Sequence, residues 1–86
     1  MNESDLPNYL YYEDIPQKIK NNLIKIDSDT KKWMELYKNN KTNQLWVIDV
    51  WDKYNWQTAI KINAKENWKE IDFENFRKKL LLNSRG

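Results

Sequence analysis

Four aspartates in two close pairs, Asp27 with Asp29 and Asp49 with Asp52, are the residues of this chain whose types and spacing could do chemistry. Paired carboxylates can divide general acid and general base work between them. Little else is available. The sequence has no His and no Cys, which removes the commonest general base, the commonest metal ligand and the thiol nucleophile. Its one glycine is Gly86, so no Gly-rich loop can cradle a phosphate. Ser28 and Thr42 lie in turn-forming sequence with no base beside them. The carboxylate pairs themselves read as backbone chemistry. Asp27 and Asp29 belong to the turn sequence Asp27-Ser28-Asp29-Thr30, and Asp49 and Asp52 have opposite parity on a strand, so they point to different faces. The expectation is a protein that is not an enzyme and takes no cofactor and no metal.

The elements that position these residues follow from periodicity. Residues 1–12 have no period and read as an extended lead-in. Asp14 with Gln17 makes a capping-box pattern, Pro16 fits the first turn, and Ile15, Ile19, Leu23 and Ile26 recur at helical spacing, which predicts a helix over 15–26. Strands are predicted over roughly 32–38, 44–51 and 56–62, separated by the polar turn Asn39-Asn40-Lys41-Thr42-Asn43 and a short turn near Lys53-Tyr54. Ile71 and Phe76 bracket Asp72 in a hydrophobic-staple pattern, and Phe73, Phe76, Leu80 and Leu81 stripe a second helix over about 73–83. Residues 84–86 read as a frayed tail. The predicted fold class is α+β: a three-stranded antiparallel meander with an N-terminal and a C-terminal helix packed on it, in one small domain over 1–86.

Even-length turns would pair Trp51 with Trp56, Asp49 with Thr58, Val47 with Ile60 and Leu45 with Ile62, and would add Met34 and Leu36 to the same face. That face is nearly all apolar and is assigned to the core beneath the helices. The opposite face then carries Trp33, Glu35, Tyr37, Trp46, Ile48, Val50, Gln57, Ala59 and Lys61, with Trp33 and Trp46 as a candidate cross-strand pair. Trp68 reads as a residue that pins its loop to the sheet.

At 86 residues, 40% hydrophobic and 14% aromatic with five Trp, the chain can build a core from a few large side chains. It has no apolar run of the ~18 residues a membrane span needs. Its start, MNESDLPNYL, has no basic segment before an apolar stretch, so no secretory signal is expected and the location is read as cytoplasmic. Charge is uneven. Residues 1–30 hold three Lys against six acids, and residues 31–86 hold twelve basic residues against seven acids. A basic second half is one mark of nucleic-acid binding. Yet Lys outnumbers Arg thirteen to two, as AT-rich coding sequence produces by codon bias, and the lysines alternate with acids, as in Lys65-Glu66 and Lys69-Glu70. That pattern is a solvated mixed surface and not a phosphate track. No nucleic acid and no membrane are expected as partners.

One stretch, from Leu23 to Trp46, carries a motif: Ile26, Asp29, Trp33, Leu36-Tyr37 and Trp46 at fixed, ungapped spacings. At those spacings it resembles the immunity protein 27 family of bacterial polymorphic toxin systems, with the pattern I-x-x-D-x-x-x-W-x-x-L-Y-x-D-P-x-x-G-x-x-W. The match covers roughly residues 15–62. The family's Asp-Pro and Gly turn stands here as Asn39-Asn40 and Asn43, and its Gly- and Pro-rich segment before the last strand is replaced by Asp52-Lys53-Tyr54-Asn55-Trp56-Gln57. The resemblance implies a small, non-catalytic cytoplasmic protein, monomeric alone, that binds and neutralises the toxin domain of contact-dependent growth inhibition or a related delivery system. A phage- or plasmid-encoded inhibitor of a host enzyme is the alternative, and a nucleic-acid-binding module comes third. Toxins that attack nucleic acid are basic at their active sites, so acids on the partner would steer association. The expected partner-binding residues are the acids Glu13, Asp14, Glu35, Asp49 and Asp52, with Tyr11, Tyr12 and Tyr54 as aromatic anchors.

Overall fold

A computed structural model describes residues 3–50, 57–75 and 78. The described residues form five strands, β1 (Tyr9–Tyr11), β2 (Leu23–Asp29), β3 (Met34–Asn39), β4 (Leu45–Asp49) and β5 (Thr58–Ile62), in one antiparallel sheet of order β1-β5-β4-β3-β2. A short helix, α1 (Gln17–Lys20), lies between β1 and β2, with 3-10 turns at Glu3–Asp5, Tyr12–Asp14 and Trp68–Glu70. The expected three-stranded meander with two packed helices is therefore wrong. Two strands are added to it, and most of the N-terminal helix is lost.

The correction has a local cause. Ile19 does sit on a turn of helix and is buried, and Ile15, extended just ahead of that turn, is buried with it. Pro16 stands at its N-cap, where its carbonyl accepts from the N–H of Ile19 at 2.9 Å and of Lys20 at 3.1 Å, and Asp14 makes no cap. Asn21 and Asn22 then stop it. Asn22 turns its amide back onto the Lys18 carbonyl at 3.0 Å, a bond that competes with continued helix. From Leu23 the β-branched Ile24 and Ile26 favour an extended chain, and pairing with β3 overrides the helical coincidence of Leu23 and Ile26. At the N-terminus, Tyr9–Tyr11 turns part of the expected lead-in into a strand on β5.

The remaining strands lie where periodicity places them. Leu45 pairs with Ile62 and Val47 with Ile60, as expected. Asn43 has φ 64°, the left-handed conformation that Asn tolerates, and closes the β3–β4 turn with its N–H on the Asn39 carbonyl at 2.8 Å. Both sheet faces are core. Met34, Leu36, Val47 and Ile60 pack against Trp68 and Phe73, so Trp68 pins its segment to the sheet. On the other face Trp46, Ile48 and Ala59 pack against Leu10, Ile15 and Ile19. The N-terminal and C-terminal segments thus cover opposite faces, whereas the sequence reading put both on one. Residues 73–75 and 78 are helical; the rest of the expected second helix, with Trp51 and Trp56, lies outside the described residues.

Candidate functional site

The motif residues divide into builders and presenters. Asp29 accepts the N–H of Lys31 at 3.1 Å and of Lys32 at 3.3 Å, which closes the β2–β3 turn. Leu36 is fully buried, and Tyr37 and Trp46 are register partners across β3 and β4. Tyr37 donates its hydroxyl to Glu35 at 2.7 Å. Burial first, then that bond and the Glu35 charge, push its pKa above the ordinary tyrosine range. Trp46 is buried and donates its indole N–H to Glu3. The expected Trp33–Trp46 pair does not form.

Ile26 and Trp33 instead face outward. Trp33 is 48% exposed and held at φ 58°, with its carbonyl accepting from Val50 at 2.8 Å. Ile26 is 39% exposed and Ile24 45%. All three belong to β2, at the open edge of the described sheet, or to the turn that leaves it. Ile26 is also the extra residue of a bulge, since Lys25 pairs with Tyr37 and Asp27 with Leu36. The sequence carried a sign of this edge, the β-branched alternation of Ile24 and Ile26, which the helical reading absorbed.

The expected partner-binding residues are scattered. Tyr12 is half-buried beside Tyr37, with the Lys20 ammonium 4.6 Å from the centre of its ring, while Glu13 and Asp14 in the same 3-10 turn are exposed. Glu35 is half-buried, pairs with Lys25 at 3.3 Å, and lies on the sheet face of Tyr37 and Tyr12. Tyr11 is half-buried in β1, where period two turns it to the other face with Tyr9. Asp49, in register with Met34, belongs to that other face too and is only 3% exposed. Asp52 and Tyr54 lie outside the described residues. Of the candidate catalytic pairs, Asp27 accepts the N–H of Ser28 at 2.8 Å and Asp29 makes its turn, so both serve the backbone.

Asp49 does join other acids. The segment after β5 folds back over Met34 and leaves a cleft of about 360 Å³, with Met34, Ile71 and Phe73 as apolar lining and Asp49, Glu70, Asp72 and Glu74 as carboxylates. Lys32 lines one side, and its ammonium is held by the Lys69 carbonyl. Asp72 accepts from the Asn75 N–H at 3.4 Å, and Glu74 meets Lys78 at 3.9 Å. No local pattern in the sequence joins Asp49 to Glu70, Asp72 and Glu74, because the fold-back that unites them is a tertiary event. Among the described residues no group of three or more acids has the geometry to hold a metal ion, and no helix is long and apolar enough to cross a membrane. Compared with models of protein families, with curated proteins and with solved structures, the chain matches none.

Proposed function

We propose that this chain is a non-catalytic immunity protein that binds and neutralises a cognate bacterial toxin in the cytoplasm of the cell that makes both. The observation that carries the reading is the exposure of Trp33 with Ile24 and Ile26 at the sheet edge. Large apolar side chains left in water along one sheet edge point to a surface that a partner covers, and Trp is over-represented among the residues that dominate binding energy. Trp33 also sits in the left-handed region, which costs a bulky residue roughly 1–2 kcal/mol. Such costs persist where function holds them in place. The same residue belongs to the motif by which the chain resembles the immunity proteins, and the buried Leu36 and Trp46 of that motif build the sheet that presents it.

Co-expression tests the reading. The toxin encoded by the neighbouring gene, induced in a sensitive bacterium, should arrest growth alone and permit it when this chain is made, and the two proteins should co-purify. Continued arrest with both proteins soluble would defeat the immunity reading. Capture of a host enzyme, with its activity lost, would move the same surface to the inhibitor class.

A further inference from the structure

We infer that residues 21–26 form a conformational switch: paired with β3 they lead into and begin β2, and released from β3 they continue α1 as helix through Ile26. The sequence fits both forms. Ile19, Leu23 and Ile26 recur at helical spacing, and Ile24 and Ile26 at extended spacing. Continued as helix, Ile19, Leu23 and Ile26 share one face, while Lys18, Lys20, Asn21 and Lys25 take the other sides, with Ile24 the one apolar residue among them. Ile19 is already buried, and Leu23 packs against the same cluster, so the apolar face of the longer helix would point at core that already exists.

Two structural observations carry the inference. The first is that helical bonding already runs past α1. Asn21 has the helical φ of −64° and ψ of −19°, its N–H donates to the Gln17 carbonyl at 2.9 Å, and the Asn22 N–H donates to the Ile19 carbonyl at 2.9 Å. Starting a helix is its costly step, because several residues are fixed for one bond, and each residue added to a formed turn brings a bond of its own. What stops it is the Asn22 side chain on the Lys18 carbonyl at 3.0 Å. The second is that β2 gives up little on release. Residues 24–28 are all exposed, the bulge at Ile26 already interrupts the ladder, and the Lys25–Glu35 ion pair is largely solvated. Helical bonds replace the ladder bonds that are lost, and the helix would bury Ile26, which the strand leaves 39% exposed. Only the strand form sets Ile24, Ile26 and Trp33 along one edge, so a partner that covers this edge selects it. That last step alone rests on the proposed function.

The test follows the full chain by amide hydrogen exchange and by saturation-transfer NMR, which reads the Cα shifts of a minor state. The β2 amides should exchange at least about 100-fold faster than those of residues 46–48, through an opening that leaves the sheet centre protected. The minor state should show helical shifts over residues 21–26. Asn21→Ala with Asn22→Ala, which replaces two poor helix formers and removes the competing amide, should raise its population at least about threefold. Asn22→Gly, which favours a stop at that point, should lower it. Exchange of β2 only at the rate of residues 46–48 would overturn the switch. So would random-coil shifts in the minor state, which describe a fraying edge, or an unchanged population in the double alanine variant. These results are read on the isolated chain and stand whether or not a toxin is neutralised. Added toxin should deplete the helical signals, and a toxin complex that retains them would remove the β2 edge from the interface while leaving the switch in place.

Discussion

Trp46 donates its indole N–H to the carboxylate of Glu3 at 2.6 Å, a bond that closes across 43 residues of chain. The same carboxylate accepts from the Asn39 amide at 3.2 Å and from the Thr42 hydroxyl, and it is buried. Lys61 completes the clasp by donating to the backbone carbonyls of Glu3 at 3.1 Å and Leu6 at 2.6 Å. An acid at the start of the chain thus fastens the N-terminal segment over the β3–β4 turn.

Replacing Glu3 with Ala would leave the Trp46 and Asn39 donors buried without their acceptor. Each such donor costs about 1–3 kcal/mol, so a net loss of about 2–3 kcal/mol is expected once some water enters. Glu3→Gln keeps one carbonyl acceptor and should lose less. Lys25→Ala makes the contrast, because its ion pair with Glu35 is largely exposed and should change stability by under about 0.5 kcal/mol. Urea unfolding of the three variants ranks them, and equal losses for Glu3→Ala and Lys25→Ala would refute the clasp.

Trp33 separates stability from binding. Glycine takes φ 58° without the penalty a Cβ imposes, so Trp33→Gly relieves strain while it loses a half-exposed side chain, and the net stability change should stay within about 1 kcal/mol. Affinity for the proposed partner should fall by at least about tenfold, the loss typical of an aromatic hot spot. Calorimetric titration of the toxin against parent and variant reads this directly. Full affinity retained by a folded Trp33→Gly chain would place the anchor elsewhere.

Much of the sheet was legible because period two is strong in its centre. Met34 and Leu36, Val47, and Ile60 with Ile62 alternate with residues of the other face, and the Asn-rich turn between β3 and β4 has one reading. The edges were not legible. Leu23 and Ile26 satisfy a helical period while Ile24 and Ile26 satisfy an extended one, and only the partner strand, distant in sequence, decides between them. Tyr9–Tyr11 is too short to show any period. Two-sided burial hid the rest: Trp46 and Ile48 looked like one half of a mixed surface face because nothing local announces that α1 covers them. The site shared this fate, since Asp49 was visible as an acid but Glu70, Asp72 and Glu74 reach it only through the fold-back over Met34.

The Tyr37 phenol gives an alkaline signature. Its folded pKa lies above the ordinary tyrosine value of about 10, through burial and the neighbouring Glu35 carboxylate. The folded state therefore holds the proton after the unfolded chain has released it. Below about pH 10 both states are protonated and stability is indifferent to this group; above it the unfolded state binds fewer protons and stability falls as pH rises. Tyr37→Phe loses the Glu35 hydrogen bond, about 0.5–1.5 kcal/mol at neutral pH, but should decline less steeply between pH 9 and 11 than the parent. Urea midpoints across that range decide the matter, and parallel profiles would mean that Tyr37 is not the titrating group.

The open edge at β2 should keep the chain from pairing with itself despite its exposed isoleucines. A regular edge strand is a template for another strand, and proteins blunt such edges with bulges and with charges. β2 has both: the bulge at Ile26, and Lys25, Asp27 and Asp29 along seven residues. The bulge turns Lys25 to the face of Tyr37 and Asp27 to the face of Leu36, so these two charges do not meet across a two-fold pairing of β2 with a second β2. The parent chain is therefore expected to sediment as a monomer. Deletion of Ile26 would keep Lys25 and Asp27 opposite Tyr37 and Leu36 without the extra residue and straighten the edge into a regular template for a second copy. That variant should keep its circular dichroism and sediment increasingly as a dimer with concentration. A dimeric parent, or a deletion variant that folds and stays monomeric, would show that the bulge is not what guards the edge.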